Sequence, residues 1–143
     1  MDAIDRQLLD VLRADARVSV RDLAGRVGIS RASAYARLKR LQDDRVIRGF
    51  TVEVDHAALG LGVAAYIHVR IKQNSWKSFR EKAWAIEEAA HVALVAGDFD
   101  CLMLVRARST EHLRDLVLER VQALPEVLAT QTVLVFEEHR GSV

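Results

Sequence analysis

One stretch, residues 19–41, constrains the fold most strongly, because it carries the start and stop signals of two short helices. Ser19 can accept a hydrogen bond from an amide in the first turn of one helix, and Asp22 stands three residues further on, as in a capping box. Gly28 stands where a left-handed residue can end that helix, and Ser30 can cap the next one. Apolar residues recur at helical spacing on both sides of the glycine: Leu23 and Val27 before it, and Ala34, Leu38 and Leu41 after it. Two capped helices joined at a glycine predict a helix-turn-helix.

The second of these helices is predicted to present a small, hydroxylated and basic outer face. Five basic residues and no acidic ones lie between residues 26 and 40, whereas the formal net charge of the whole chain is only +1. A run of basic residues on a helix is by itself typical of a solvated surface. Together with the caps and the turn glycine, it favours a helix that lies in the major groove of DNA. We therefore predict DNA contacts from Ser30, Arg31, Ala32, Ser33, Tyr35, Arg37, Lys39 and Arg40.

The segments on either side complete a winged helix-turn-helix. Asp2 can cap a first helix that carries an apolar stripe at helical spacing, formed by Ile4, Leu8, Val11 and Leu12. After the third helix, residues 46–54 are rich in strand-forming residues and are predicted to form a short wing. Arg48 in this wing is placed to reach a flanking phosphate, although a lone arginine is equally consistent with an ordinary surface.

Several short motifs together resemble the Lrp/AsnC family of transcription regulators, which takes its name from a leucine-responsive protein and an asparagine regulator. The resemblance runs through essentially the whole chain and rests on Asp2, Asp5, Leu8, Leu9 and Leu12, on Asp15 to Arg17, on Leu23 and Ala24, on Val27 to Ser30, on Arg37 to Leu41 and on Val46 to Phe50. Arg45 departs from the family, which commonly has a glycine there. A left-handed backbone at Arg45 would carry a modest steric cost. The resemblance implies a regulator that binds double-stranded DNA.

From residue 63 onward the pattern changes to alternating strands and helices. Their order, βαββαβ, predicts an antiparallel sheet with both helices on one face, a ferredoxin-like sandwich, so the fold class is α+β. The resemblance implies that this is the amino-acid-responsive domain. We expect a DNA-binding domain at 1–55, a helical connection with two glycines at 56–62, and an effector-binding and oligomerisation domain at 63–143. Strands are predicted at 63–72, 92–96, 101–107 and 127–136, and helices at 75–90 and 110–124.

The predicted sheet has more apolar surface than two helices can cover. Alternate residues of the first strand form one apolar face, namely Val63, Ala65, Ile67, Val69 and Ile71. In the third strand both faces are apolar, with Leu102 and Leu104 opposite Cys101, Met103 and Val105. A symmetric dimer that packs sheet on sheet would cover the second face, and a twisted sheet with incidental exposed aliphatic residues is the alternative. The resemblance implies homodimers that assemble further into tetramers or octamers.

The segment Gly97–Asp100 is, from its residues alone, a hairpin loop between two strands. In the family, a glycine-x-aromatic-aspartate loop at this place lines an effector pocket at a subunit interface, with contributions from the last strand. An aspartate there would pair with the α-ammonium group of an amino acid, and the aromatic ring favours an aliphatic or aromatic side chain over a charged one. The resemblance thus implies effector contacts from Gly97, Asp98, Phe99, Asp100, Thr130 and Thr132.

Catalytic and metal-binding signals are weak. The five histidines are scattered without paired metal spacing, and no glycine-rich phosphate loop or nucleophile–base set is present. Cys101 is the only cysteine, so an intrachain disulfide is excluded, and we predict that it is a small buried residue. We expect no enzyme activity, no metal and no cofactor other than an amino-acid effector.

These observations predict a sequence-specific DNA-binding transcription regulator of amino-acid metabolism that senses its effector at a subunit interface. Two alternatives remain open. One is an architectural oligomer that wraps or bends DNA without an effector, and the other is an enzyme or enzyme-regulatory subunit in which the basic helix is incidental. No apolar run is long enough for a membrane span and no signal-peptide pattern is present, so the expected location is the cytoplasm.

Overall fold

Both predicted caps of the helix-turn-helix are present in the computed structural model, which describes residues 1–139. The Ser19 hydroxyl accepts a hydrogen bond from the Asp22 N–H at 3.1 Å, and the Ser30 hydroxyl accepts one from the Ser33 N–H at 3.1 Å. Gly28 ends the first of these helices with a left-handed φ of 74°. The Asp22 carboxylate differs from the expectation, because it accepts a hydrogen bond from the Ser19 hydroxyl at 2.7 Å and does not reach the backbone.

Three helices form the first of two compact units into which the chain divides, and this unit ends at Glu53. Helix α1 spans Ala3–Ala14, α2 spans Val20–Val27 and α3 spans Arg31–Asp43. Helix α1 begins with a complete capping box, in which the carboxylates of Asp2 and Asp5 each accept a hydrogen bond from the other residue's N–H at 2.9 Å. The buried apolar residues come from all three helices: Leu8, Leu23, Ala24, Ala34 and Leu41. The predicted helix-turn-helix and its first helix are confirmed.

The predicted wing is wrong for this chain, because residues 46–54 form no strand. Arg45 keeps the left-handed turn after α3 without a glycine, with a φ of 55°. Beyond it the backbone is irregular, and the side chains of Phe50 and Val52 are 54% and 78% exposed. A strand is stable only when a second strand pairs with its N–H and C=O groups, and no strand among residues 1–139 pairs with this segment. The strand-forming side chains therefore have no ladder to join.

The second unit begins at Val54 and contains one four-stranded antiparallel sheet in the order β2-β3-β1-β4. Its elements are β1 Val63–Ile71, α4 Trp76–Trp84, β2 Ala89–Leu94, β3 Cys101–Ala107, α5 Thr110–Asp115, which continues as a π-helical segment at Leu116–Val121, and β4 Val127–Val135. Both helical elements pack on one face of the sheet, so the ferredoxin-like βαββαβ fold is confirmed. Before β1, one turn of helix-like hydrogen bonds follows Asp55, and Gly60 ends it with a φ of 77°.

The boundary between α4 and β2 differs from the sequence prediction. Helix α4 ends at Trp84 although helix-forming residues continue to residue 90, and β2 begins at Ala89 although the prediction placed its start at 92. The chain turns at Ile86, which is buried in the core, and the Ala89 N–H donates to the Ile86 carbonyl at 3.0 Å. Burial of one large apolar side chain thus overrides the local helix propensity of the glutamates and alanines that follow. Among residues 1–139, no helix combines the length and apolar content that a membrane crossing needs.

The core of the second unit lies between the two helical elements and one face of the sheet. The sheet contributes alternate residues of β1, as predicted, among them Ala65, Ile67 and Val69. In β3, where the sequence shows two apolar faces, the core face is the one with Cys101, Met103 and Val105. The helices contribute Phe79, Ala83, Leu113, Leu116 and Val121. Burial raises the pKa of the Cys101 thiol to about 11, which disfavours the reactive thiolate and confirms Cys101 as a buried apolar residue.

Gly25 within α2 and Gly28 at its C-terminal end provide a matched test of the predicted turn. Gly28 has a φ of 74° and Gly25 lies inside the helix, and a Cβ added at either would meet nothing within 4 Å. We expect Gly28→Ala to lower the free energy of unfolding by about 1–2 kcal/mol, because an L-residue is strained in the left-handed region. Gly25→Ala should raise the same free energy by up to about 1 kcal/mol through helix propensity. Thermal unfolding followed by circular dichroism measures both, and equal shifts would contradict the assigned turn.

Candidate functional site

Exposure separates the residues predicted to contact DNA into two groups. The outer surface of α3 and its N-cap is formed by exposed residues, namely Ser30, Arg31, Ala32, Tyr35, Lys39 and Arg40. Ser33 and Arg37 are only half-exposed. Arg48 is exposed but stands in irregular backbone after α3 and not in a wing. The predicted face therefore exists as a surface, and its small side chains at Ala32 and Ala36 leave room for close approach of a partner.

Two of the predicted DNA-contacting arginines are held by carboxylates of α1. The Arg37 Nη1 donates to Asp2 Oδ2 at 2.7 Å and to Asp5 Oδ1 at 2.8 Å. The Arg40 Nη2 donates to the other oxygen of Asp5, Oδ2, at 2.7 Å. The side chain of Asp5 is only 1% exposed, whereas that of Arg40 is 51% exposed. We call these four side chains, Asp2, Asp5, Arg37 and Arg40, the acidic clamp.

Charge and hydrogen bonding shift the pKa values inside the acidic clamp in the directions that favour the charged forms. The N–H of Asp5, followed by the Arg37 guanidinium, lowers the pKa of the Asp2 carboxyl to about 2. The pKa of Asp5 is also lowered, first by the hydrogen bond from the Asp2 N–H and then by Arg37. The same pairs raise the pKa of Arg37. Both carboxyl groups are therefore ionised at neutral pH, and their two negative charges cancel those of the two guanidinium groups.

The cations of the helix-turn-helix are consequently not equivalent. Lys39 pairs with Asp43 at 2.7 Å within α3, but both side chains are more than 60% exposed and such a pair contributes little. No ion pair among the described residues involves Arg26, Arg31 or Arg48. Arg31, at the start of α3, therefore carries a charge that is free to meet a polyanion, whereas the charge of Arg37, which the sequence also predicted to contact DNA, is neutralised by Asp2 and Asp5.

Asp5 is not among the predicted site residues, although the sequence carries a signal for its role. Asp5, Leu8 and Leu12 stand at i, i+3 and i+7, so Asp5 belongs to the buried stripe of α1. A buried carboxylate is costly unless cations and N–H groups surround it. An acidic residue on a core stripe therefore predicts a cationic partner on a neighbouring helix, and basic residues at the edge of the α3 stripe are the available partners.

The loop Gly97–Asp100 joins β2 and β3 and is held by the side chain of Arg70 on β1. Gly97 has a φ of 139°, which favours glycine. The Arg70 guanidinium donates to the Asp98 carbonyl from Nε at 3.2 Å and from Nη2 at 2.8 Å, and its Cζ lies 5.7 Å from the centre of the Phe99 ring. Arg70 fixes both the backbone and the aromatic ring of the loop, although no sequence motif singled it out.

An open cavity of about 430 Å³ lies beside this loop. The ring of Phe99 packs edge-on against His68, with ring centres 5.2 Å apart, and both line the cavity. Its lining is completed by Val95, Ala96, Asp98, Leu102 and Gln131. Apolar walls with an acid and an amide at the edge are typical of sites for small zwitterionic ligands.

Four of the six residues expected to contact the effector do not line this cavity, namely Gly97, Asp100, Thr130 and Thr132. Thr130 and Thr132 pair with Val69 and Ile67, whose side chains enter the helix-covered core, so the threonines lie on the opposite face of the sheet from Phe99. Gln131, which pairs with His68, stands on the cavity side instead. Side chains alternate across a strand, so the sequence could not assign the face without the orientation of the loop.

The side chain of Asp100 binds the backbone of β1. Its Oδ2 accepts a hydrogen bond from the Ile71 N–H at 2.9 Å, at the point where the register between β1 and β4 shifts. Its own N–H donates to the Val69 carbonyl at 3.0 Å. Asp98 is exposed and lines the cavity, so it is the aspartate of this loop that is accessible there.

Comparison with protein families accounts for almost the whole chain. Residues 1–42 match the AsnC-type helix-turn-helix domain, and residues 64–142 match the Lrp/AsnC ligand binding domain. The HTH-type transcriptional regulator AldR of Mycolicibacterium smegmatis is 40% identical over 145 aligned positions, which cover 99% of this chain and 85% of that protein.

Solved structures give the same assignment. The crystal structure of MtbAldR is 34% identical, with a TM-score of 0.80 over 98% of this chain and 97% of that one. A transcriptional regulator from Neisseria meningitidis, crystallised as a complex with L-Met, has a TM-score of 0.93 over 100% of this chain and 96% of that one. At 23% identity, this second likeness concerns the fold alone.

The lowered pKa of Asp2 makes a prediction for acid stability. A carboxyl whose pKa is about 2 in the folded chain, against an ordinary value of 3.8, stabilises the fold above pH 3.8 and loses that contribution as the pH falls through 2. We expect stability to fall more steeply between about pH 5 and about pH 2 in the wild type than in Asp2→Asn. Urea unfolding at a series of pH values measures this slope. Asp10→Asn is the control, because Asp10 lies exposed on the same helix without an ion pair among the described residues, and a wild-type slope equal to that of Asp2→Asn would contradict the assignment.

Proposed function

The chain belongs to the Lrp/AsnC family of transcription regulators, and from that premise we propose that it reads DNA mainly through the start of α3 and tunes this binding to an amino acid. The observation that carries the proposal is the Arg31 guanidinium, exposed at the first residue of α3 and without an ion pair among the described residues. The first residues of a recognition helix are those that meet base edges in the major groove.

The surface around Arg31 has the composition that base recognition needs. Arg31 offers the planar donor fork that pairs with guanine, and Tyr35 is 66% exposed on the same helix. The Ser30 hydroxyl already accepts the Ser33 N–H, so in this proposal Ser30 positions the helix start and is not itself a reader. Lys39 and Arg48, both exposed, are assigned to phosphates.

The proposed effector is an amino acid with an uncharged, aliphatic or aromatic side chain, bound in the cavity beside Gly97–Asp100. Asp98 would receive its ammonium group, and the amide of Gln131 would donate to its carboxylate. Phe99 and Leu102 supply apolar walls for the side chain. The match of residues 64–142 to a ligand binding domain supports this assignment.

The proposed assembly is a homodimer formed through the helix-free face of the sheet, with further association into tetramers or octamers. Tyr66, Leu102 and Val133 stand on this face, and Val133 is 44% exposed. The cavity beside Phe99 opens on the same side of the sheet, so a second copy would stand next to the effector. A two-fold dimer would also present two α3 helices to half-sites about one helical turn apart. The proposed location is the cytoplasm, where such a regulator has access to DNA.

Removal of Arg31 tests the DNA contact. We expect Arg31→Ala to weaken binding to double-stranded DNA and to lower the slope of log affinity against log salt by about 0.9 if a phosphate contact is lost. If Arg31 reads a base, the loss should instead fall on one sequence, with a change of roughly tenfold or more. Fluorescence anisotropy over a salt series measures both. Arg13→Ala removes the same charge from an exposed position of α1, and identical behaviour of the two variants would remove Arg31 from the interface.

Neighbouring residues of β4 provide a test of the effector cavity. In a melting screen against the proteinogenic amino acids, a ligand at 100 times its Kd should add about 2.7 kcal/mol to the stability of the native state. We expect Gln131→Ala to abolish this gain and Thr132→Ala to preserve it, because the two side chains lie on opposite faces. A gain lost equally in both would refute the cavity, and no gain with any amino acid would favour the effector-independent architectural oligomer.

A further inference from the structure

The acidic clamp joins α1 and its N-cap to α3, the helix that is proposed to read DNA. It contains the carboxylates of Asp2, the N-cap of α1, and of Asp5 within α1, and two guanidinium groups from α3, with every ion pair at 2.7 or 2.8 Å. Asp5 stands at its centre, because one oxygen meets Arg37 and the other meets both Arg40 and the Asp2 N–H. The cluster is thus buried at Asp5 and exposed at Arg40, facing outward on the surface proposed to bind DNA.

Stability alone is a weak reason for this arrangement. A buried ion pair is often no more stabilising than apolar residues of the same volume, since its desolvation cost offsets the attraction. Such a pair does, however, fix the geometry of the side chains that it joins. Nη2 of Arg40 is held by Asp5, and no hydrogen bond from Nε or Nη1 of Arg40 is found among the described residues. A guanidinium fixed at one nitrogen and free at the others loses less entropy when it contacts a base or a phosphate.

We infer that Asp5, with Asp2, is a positioning residue for DNA recognition, which orients Arg37 and Arg40 and cancels two of the positive charges on α3. The inference rests on the proposed function of α3. Cancelled charge lowers the attraction to any phosphate backbone, and fixed orientation favours the one sequence that matches the guanidinium geometry. The acidic clamp therefore raises the ratio of specific to non-specific binding.

The test compares Asp5→Asn with Asp10→Asn, which makes the same charge change at an exposed position of α1. The probes are a duplex of about 30 base pairs, roughly three helical turns, selected from a randomised pool with the wild type, and a random duplex of equal length. We expect Asp5→Asn to lower affinity for the selected duplex about tenfold while affinity for the random duplex is unchanged or higher. The salt slope on the random duplex should increase by about 0.9 for each released arginine that gains a phosphate. Asp10→Asn should change both affinities by the same factor.

Double variants separate positioning from a general structural effect. In an Arg37→Ala/Arg40→Ala background, Asp5→Asn should no longer alter the ratio of the two affinities, because the groups through which it acts are gone. If Asp5→Asn does not fold, as judged by its circular dichroism and Tm, Asp2→Asn serves instead. It removes one of the two acceptors of Arg37 at a half-exposed site, and a smaller loss of specificity in the same direction is expected.

Several outcomes would overturn the inference. Equal effects of Asp5→Asn and Asp10→Asn on the two duplexes would show that only net charge matters. Persistence of the full Asp5→Asn effect without Arg37 and Arg40 would show that it acts through the fold. In both cases the wild type still binds DNA and the proposed function stands. A wild type that binds neither duplex at low salt would overturn the proposed function and this inference together.

Discussion

The central strand β1 is the constraint on which the second unit depends. It pairs with β3 on one side and β4 on the other, so its alternating side chains determine what each face of the sheet contains. Ala65, Ile67 and Val69 enter the core beneath the helices and are fully buried. His68 and Arg70 belong to the other face and hold the Gly97–Asp100 loop. One strand thereby supplies Ala65, Ile67 and Val69 to the core, and the residues that alternate with them, His68 and Arg70, to the candidate effector site.

The regular spacing of side chains along helices and strands also explains which elements the sequence predicts well. Helical spacing and caps locate α1, α2 and α3, because Ser19, Gly28 and Ser30 act through their own neighbours in the chain. Strand alternation identifies the apolar face of β1 that enters the core, whereas β3 is apolar on both faces and its core face is not visible in the sequence. In the three helices the determining contact lies within a few residues of the signal, so a local pattern is sufficient.

The errors arise where a distant contact decides the structure. Residues 46–54 have strand-forming side chains but no partner strand, and α4 ends early because Ile86 is buried. Thr130 and Thr132 lie on the face of the sheet opposite the candidate site, because β4 pairs with β1 in a register that the sequence does not reveal. Gln131 and Arg70 enter the site because of how β1, β4 and the loop meet, and neither belongs to a motif.

The positive charge of the helix-turn-helix also depends on distant residues, so it cannot be counted from a local segment of the sequence. A window from residue 26 to residue 40 contains only basic charges, but the carboxylates that neutralise Arg37 and Arg40 lie 32 and 35 positions earlier in the chain. Affinity for phosphate depends on the cations that remain free and not on those counted along a segment. A regulator must leave non-specific DNA quickly and still hold one site, and a recognition helix with every charge exposed would bind all DNA more tightly. Pairing the two arginines with Asp2 and the buried Asp5 keeps their donors in place while cancelling their charge, which makes geometry, and not charge, the basis of selection.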